Sequence, residues 1–171
     1  PFMSDQYFGR AVILLCSHDE KGSFGFVLNN YIDINLNKLD DSFPKIKTRI
    51  SVGGPVDTKH LYYIHTLGNK IDGSVEITDE IFLGGDYTKL ISLLKKDINL
   101  IKKVRFFLGY SGWDANQLSD EFKEKSWVAV NNINDNVIMN DAEDNLWQYC
   151  MSKQGNRFKV MSNFPIDPNF N

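Results

Sequence analysis

An α+β domain built on a mixed sheet is the fold this sequence predicts. Roughly nine short strand-like segments and three well-marked helical ones follow one another without βαβ alternation. The early strands come as hairpins, so the sheet is expected to be mixed or antiparallel and to curl on itself. The 171 residues suit one domain covering 1–171, large enough to bury a core without disulfide or metal.

The elements are expected in this order. Residues 11–16 (AVILLC) form a continuous apolar run, which predicts a strand buried on both faces. Residues 18–23 are polar and contain a glycine, as a hairpin loop does, and residues 24–29 return as the second strand. Gly25 inside it marks a bulge or a close backbone approach. Leu36, Leu39 and Phe43 stand at helical spacing and predict a short helix within 30–48. Strands follow at 49–52 and at 60–66, the latter alternating and rich in Tyr and Ile. Asp72-Gly73 signals a turn, and short strands are expected at 75–77 and 80–83. Asp86 caps a helix whose apolar stripe is Tyr87, Leu90, Ile91 and Leu94. Residues 104–108 (VRFFL) read as a central strand ending at Gly109. A second helix is expected after Asp114, with Gln117 completing a capping box. Strands at 127–130 and 137–139 come next, then a third helix from Asp141 to about Lys153, stopped by Gly155. The tail from Asn163, with Pro165 and Pro168, is expected to be extended.

Charge narrows the function. Lys+Arg number 19 and Asp+Glu 22, a formal charge of -3 with pI near 5.6, so no global field draws nucleic acid. Only Arg10, Arg49, Arg105 and Arg157 are arginines, the residue that phosphate and base edges favour. Direct nucleic-acid binding is not expected. No apolar stretch reaches the roughly 20 residues of a membrane span, and no signal segment is present. A cytoplasmic protein with two unpaired thiols, Cys16 and Cys150, is the expectation. Neither thiol has zinc-type spacing, and no metal or cofactor is expected.

Three glycine clusters end predicted strands: Gly53-Gly54-Pro55, Gly84-Gly85-Asp86 and Gly109-Tyr110-Ser111-Gly112-Trp113. Each alone reads as a tight turn; together they suggest turns converging on one pocket. None matches a phosphate-binding fingerprint. Ser111 sits where a nucleophile elbow would place its serine, yet Trp113 occupies the last glycine position of that motif. All three histidines, His18, His60 and His65, precede Ser111, against the chain order of α/β-hydrolases. His60 and His65, five apart on one strand, face opposite ways and cannot share a metal. Cys16, two residues before His18, is a weak candidate for a reactive thiol; a small buried hydrophobe is the commoner role. Trp113, Trp127 and Trp147 read as core or pocket walls, since they are not interleaved with lysines.

Taken in order, Phe8-Gly9-Arg10, AVILLC with His18, FGFVLNN, GGPV, LGGD, RFFLGYSGW, Gln117-Leu118 and Trp127-Val128 resemble the YqgE/AlgH family of bacterial proteins. The closing NFPIDPNFN is similar to its Bacteroidetes version. The resemblance implies a single cytosolic domain whose bifurcated sheet folds into a pseudo-barrel with helices outside. It also implies a further strand ahead of Pro1-Phe2, in keeping with a chain that opens without Met. One branch of the family carries the name of a transcriptional regulator; no helix-turn-helix or basic recognition helix is legible here. The family pattern falls on Asn29, Gly54, Pro55, Gly84, Gly85, Asp86, Arg105, Gly109, Tyr110, Gly112, Trp113 and Gln117. Ser111 replaces the Ala of many relatives.

The first expectation is thus a non-enzymatic binding or regulatory protein. Its cleft is lined by the glycine turns and by Asn29, Gly54, Asp86, Arg105, Tyr110, Ser111, Trp113 and Gln117. The partner is an unknown protein or a small anionic ligand, met by Arg105. Against that stands an internal ion pair of Arg105, with Asp86 or Glu121. The alternative function is an enzyme in the same cleft, hydrolase-like or working through Cys16.

Overall fold

The computed structural model describes residues 7–164. The expected extended tail from Pro165 onward and the opening Pro1-Phe2 lie outside the described residues. The fold is mixed α+β. Eight strands form one sheet, and β8 (Val104–Asp114) is its spine. Along one edge β8 pairs antiparallel with β5 (Val56–His65). Its other edge is shared by two strands. Residues Phe107 and Leu108 meet β4 (Lys47–Val52) in parallel, and residues 111–114 meet β2 (Gly22–Val27) antiparallel. β1 (Ile13–Asp19) continues outward from β2, and β3 (Tyr31–Asn35) from β4. Beyond β5 lie the two-residue strands β7 (Phe82–Leu83) and β6 (Val75–Glu76). The sheet therefore forks along β8 and curls into a half-barrel.

Glycine makes the fork possible. The Gly53 N–H donates to the Leu108 carbonyl, and the Gly53 carbonyl accepts from Val27, so this one residue joins both branches. A Cβ on Gly53 would overlap the Gly109 carbonyl oxygen, and one on Gly54 would overlap the Tyr110 carbonyl. Gly109 itself has φ +66. Three strands meet at backbone contact, closer than side chains permit.

The period of two along β8 serves two cores. Val104 and Phe106 pack with Tyr63, Ile50, Phe43 and the buried stripe of α1 (Tyr87–Lys96). Phe107 faces the other way, toward Phe26, Ile64, Ile81, Ile138, Leu146 and Cys150. α1 forms as its sequence predicts: Asp86 Oδ1 accepts from the Lys89 N–H at 2.9 Å, and Leu90, Ile91 and Leu94 are buried.

Several elements differ from expectation. The helix expected within 30–48 is β3 followed by one 3-10 turn at Leu36–Lys38, because residues 31–35 find a partner in β4. Residues 109–113 do not turn into a helix: β8 runs through them, since β2 supplies a new partner where β4 leaves. α2 starts later than expected, at Gln117–Lys123, with Asn116 at the N-cap position in the left-handed region and no side-chain capping bond. Gln117 Oε1 still accepts from the Asp114 N–H at 2.9 Å, one half of the expected capping box. Residues 127–130 have strand composition but pair with no strand among the described residues. Residues 137–139 belong to α3 (Asp135–Met139), which Asn134 caps. The expected third helix is shortened to α4 (Leu146–Ser152), and beyond Gly155 the chain adds α5 (Asn156–Ser162). The apolar run at 11–16 enters β1 only at Ile13, and the strand runs on to Asp19, so the hairpin loop expected at 18–23 shrinks to Glu20-Lys21; none of residues 11–16 is fully buried, and Leu15 is 40% exposed. No helix of the described residues is long and apolar enough to cross a membrane.

Candidate functional site

The predicted site residues do not gather in one cleft. The clusters at 53–55 and 109–113 meet at the fork, backbone against backbone, closer than a Cβ on Gly53 or Gly54 would allow. The Gly84-Gly85 turn lies across β5 from β8, where the Gly84 N–H donates to the Tyr63 carbonyl and Tyr63 Oη donates to the Gly85 carbonyl. The expected convergence is replaced by two separate structural roles. Ser111 is fully buried and donates to the Gly53 carbonyl at 3.0 Å, so it braces the fork. Tyr110 packs its ring against Phe24 and Tyr62. Asp86 is a helix cap.

Arg105 is 1% exposed, and no carboxylate lies within ion-pair distance of it among the described residues. Its guanidinium donates to the carbonyls of Leu28, Ile138 and Asn140 and to Tyr31 Oη, 3.3 Å away. Neither Asp86 nor Glu121 is a partner. Burial holds its pKa below the usual arginine value. The planar fork of donors ties β8 to the β2–β3 connection and to the end of α3.

Cys16 sits at the register shift of β1 against β2. Burial pushes its thiol up to about 12, away from the low values of reactive thiols, and Cys150 is pushed up to about 11. His18 Nδ1 and Ser23 Oγ share a 2.7 Å hydrogen bond across the hairpin. Asp57, at φ +51, accepts from Tyr62 and His60 on the surface bulge of β5. Among the described residues, Cys16, His18 and Asp57 belong to no common cluster of catalytic groups. Among the described residues no His, Cys, Asp and Glu cluster fits a metal ion.

What the structure does build is an apolar cavity of about 380 Å³ beside β1. All three tryptophans of the chain line it, together with Phe8, Leu118 and Leu146. Trp113 comes from the end of β8, Trp127 from the segment after α2, and Trp147 from α4. One carboxylate orients two of them. Glu121 Oε2 accepts from Trp113 Nε1 at 3.1 Å and from Trp127 Nε1 at 2.6 Å, and Gln117 Nε2 donates to Glu121 Oε1 at 3.0 Å. Trp113 and Trp127 stand edge to face at 6.0 Å, and the Arg10 guanidinium lies 4.7 Å from the Trp147 ring centre. Asn29 shapes the wall from behind: its side chain accepts from the Val12 N–H at 2.7 Å and donates to the Arg10 carbonyl at 2.9 Å.

Of the predicted residues, Trp113 lines this cavity, while Asn29 and Gln117 support it. Neither Arg10 nor Glu121 is among the predicted site residues; the sequence offers Glu121 only as an ion partner of Arg105. The i, i+4 spacing of Gln117 and Glu121 on α2 was the available signal. For Arg10 the signal was its place in the Phe8-Gly9-Arg10 motif.

Comparison with known proteins gives this architecture a family. The AlgH-like family matches residues 1–159. A UPF0301 protein of Bacteroides thetaiotaomicron is 36% identical over 172 aligned positions, covering 100% of this chain and 87% of the relative. One from Pelodictyon phaeoclathratiforme is 35% identical, covering 99% and 90%. The solution structure of the AlgH protein from Pseudomonas aeruginosa superposes with TM-score 0.71 at 22% identity, covering 96% of this chain and 89% of that one. A crystal structure from Corynebacterium diphtheriae gives TM-score 0.73 at 20% identity, covering 95% and 86%, so the fold is shared well beyond close sequence likeness. The chain belongs to the AlgH-like family.

Proposed function

We propose that this is a non-enzymatic binding protein whose site is the tryptophan-walled cavity beside β1. The observation that carries the reading is the Glu121 bridge. A carboxylate that fixes two indole rings at the rim of an apolar space holds a recognition surface in shape before anything binds. Its size falls within the range of small binding pockets, and its lining is apolar with few polar side chains. The glycine turns shape the sheet, and the cavity takes the place of the expected cleft. The thiol chemistry weighed as an alternative gains no support from Cys16, whose pKa moves the wrong way. Any regulatory effect on transcription then acts through a bound partner, not through DNA; the net charge of -3 supports that reading.

The test is saturation with 8-anilinonaphthalene-1-sulfonate, read by energy transfer from tryptophan. One site per chain is expected. Ala11→Phe, which fills the cavity wall, should remove that signal while the unfolding free energy from urea titration stays within about 1 kcal/mol of the parent. Equal probe binding in a stably folded Ala11→Phe variant would place the site elsewhere and sink the proposal.

A further inference from the structure

Charge is unevenly spread over this chain. Residues 89–103 hold five lysines and one carboxylate, and the remaining residues hold the other 14 cations and 21 carboxylates. Asp97, the one acid of that stretch, caps the 3-10 turn Ile98–Lys103: its Oδ1 accepts from the Asn99 N–H at 3.0 Å. Asp40, a further carboxylate near Lys95, accepts from Ser42 and Tyr87. Lys95, Lys96, Lys102 and Lys103 are all exposed. Two more exposed lysines join them at this end of the sheet. The Lys103 carbonyl accepts from Thr66, which leads into the 3-10 turn ending at Lys70. β4 runs parallel to β8 and begins, at Lys47, at the end where β8 begins. A molecule of net charge -3 thus has one positive pole.

The pole also offers apolar surface. Of the three apolar residues in the turn, Leu100 and Ile101 pack on the core beneath α1, whereas Ile98 is 52% exposed, between the two lysine pairs. Along α1, Thr88, Ser92, Lys95 and Lys96 line a shallow hollow on the outer face. Hydroxyls and ammonium groups on one helix face are donors for phosphate oxygens. The stretch has no arginine, the residue that base edges and nucleic-acid phosphates favour.

We propose that this pole docks on an anionic phospholipid surface, with its lysines over the headgroup phosphates and Ile98 inserted toward the acyl chains. The proposal goes beyond the cavity reading and does not depend on it. A soluble polyanion would use the lysines and leave Ile98 in water; a lipid surface rewards both. The acidic remainder of the chain is repelled by the same surface, so the charge distribution fixes the orientation of docking. Attachment of this kind is peripheral and weakens with salt.

The test is co-sedimentation of the full chain with vesicles of equal parts phosphatidylglycerol and phosphatidylcholine. Binding is expected at about 0.05 M salt, with most of it lost at about 0.5 M salt or on pure phosphatidylcholine. Lys95→Gln combined with Lys96→Gln should weaken it about 25-fold, at roughly fivefold per lysine near such a surface. Ile98→Ser should weaken it about tenfold. Lys21→Gln combined with Lys59→Gln, toward the other end of the sheet, changes the net charge equally and should leave binding within about twofold of the parent. All five positions are exposed, so thermal melts of the variants should match the parent. No sedimentation with phosphatidylglycerol at low salt, equal loss in the two double variants, or full binding by Ile98→Ser overturns the inference. So does tighter binding to a DNA duplex than to the vesicles, the outcome a nucleic-acid surface would give.

Discussion

Arg105 offers the sharpest test of what holds the two cores together. Replacing it by methionine keeps most of the apolar stem and removes every donor. The Leu28 carbonyl keeps a second partner in Ser51 Oγ at 2.7 Å, so its loss is partial. The Ile138 and Asn140 carbonyls lose Arg105 outright. A buried acceptor left bare costs about 1–3 kcal/mol, so two of them cost about 2–6 kcal/mol. Against this stands the relief of no longer burying a cation without a carboxylate partner, which offsets part of the loss. The expected net is a destabilisation of about 3 kcal/mol for Arg105→Met. For a domain of this size that lowers the melting temperature by about 6–12 °C. Arg105→Lys, whose ammonium reaches fewer of these carbonyls, should fall between parent and methionine. Circular dichroism melts and urea titrations at pH 7 read both. A methionine variant as stable as the parent would mean that desolvation outweighs the carbonyl contacts, and the bracing role assigned to Arg105 would be wrong.

Other outcomes follow from the same contacts. His65 is fully buried; its Nδ1 accepts from the Leu67 N–H and its Nε2 faces the Gly84 carbonyl, and burial lowers its pKa below 6.5. The unfolded chain therefore takes up this proton first, and stability is lost as pH falls below about 6.5 by up to ~1.4 kcal/mol per pH unit. Urea midpoints at pH 7.5 and 5.5 should separate in the parent and converge in His65→Gln. Gly53→Ala, whose methyl meets the Gly109 carbonyl and the Phe26 ring, should cost about 2–4 kcal/mol, whereas Gly112→Ala, with only the Tyr110 ring at 3.4 Å, should cost less than about 1 kcal/mol. Iodoacetamide at pH 8 should label Cys16 in the native protein about a thousandfold more slowly than in urea, because the raised pKa leaves so little thiolate.

The sequence revealed the elements whose signals are local. The Asp86 cap and the stripe of α1, the hairpin of β1 and β2, and the family itself were all readable from short motifs. It failed where a partner far along the chain decides. Residues 109–113 carry the marks of a turn, but β2 takes over as their partner where β4 leaves, and the strand continues. Residues 31–35 are too polar to announce a strand and become one because β4 lies beside them. Arg105 showed that it was special without showing why, since its partners are backbone carbonyls, which no side-chain pattern encodes. Trp113, Trp127 and Trp147 read correctly as walls, but nothing local said that they share one cavity with Glu121 at its rim.

The fork along β8 also dictates an order of events during synthesis. Residues 104–114 pair with β2, β4 and β5, strands that leave the ribosome earlier. Until that stretch emerges, the β1–β2 and β3–β4 hairpins have no common strand to join, and their apolar faces wait in solution. At about 5–20 residues per second the wait between β4 and the end of β8 lasts several seconds. Assembly is then dominated by contacts distant in sequence, which places this small domain among slow folders. The eleven residues of β8 are where a destabilising mutation would slow folding more than it speeds unfolding.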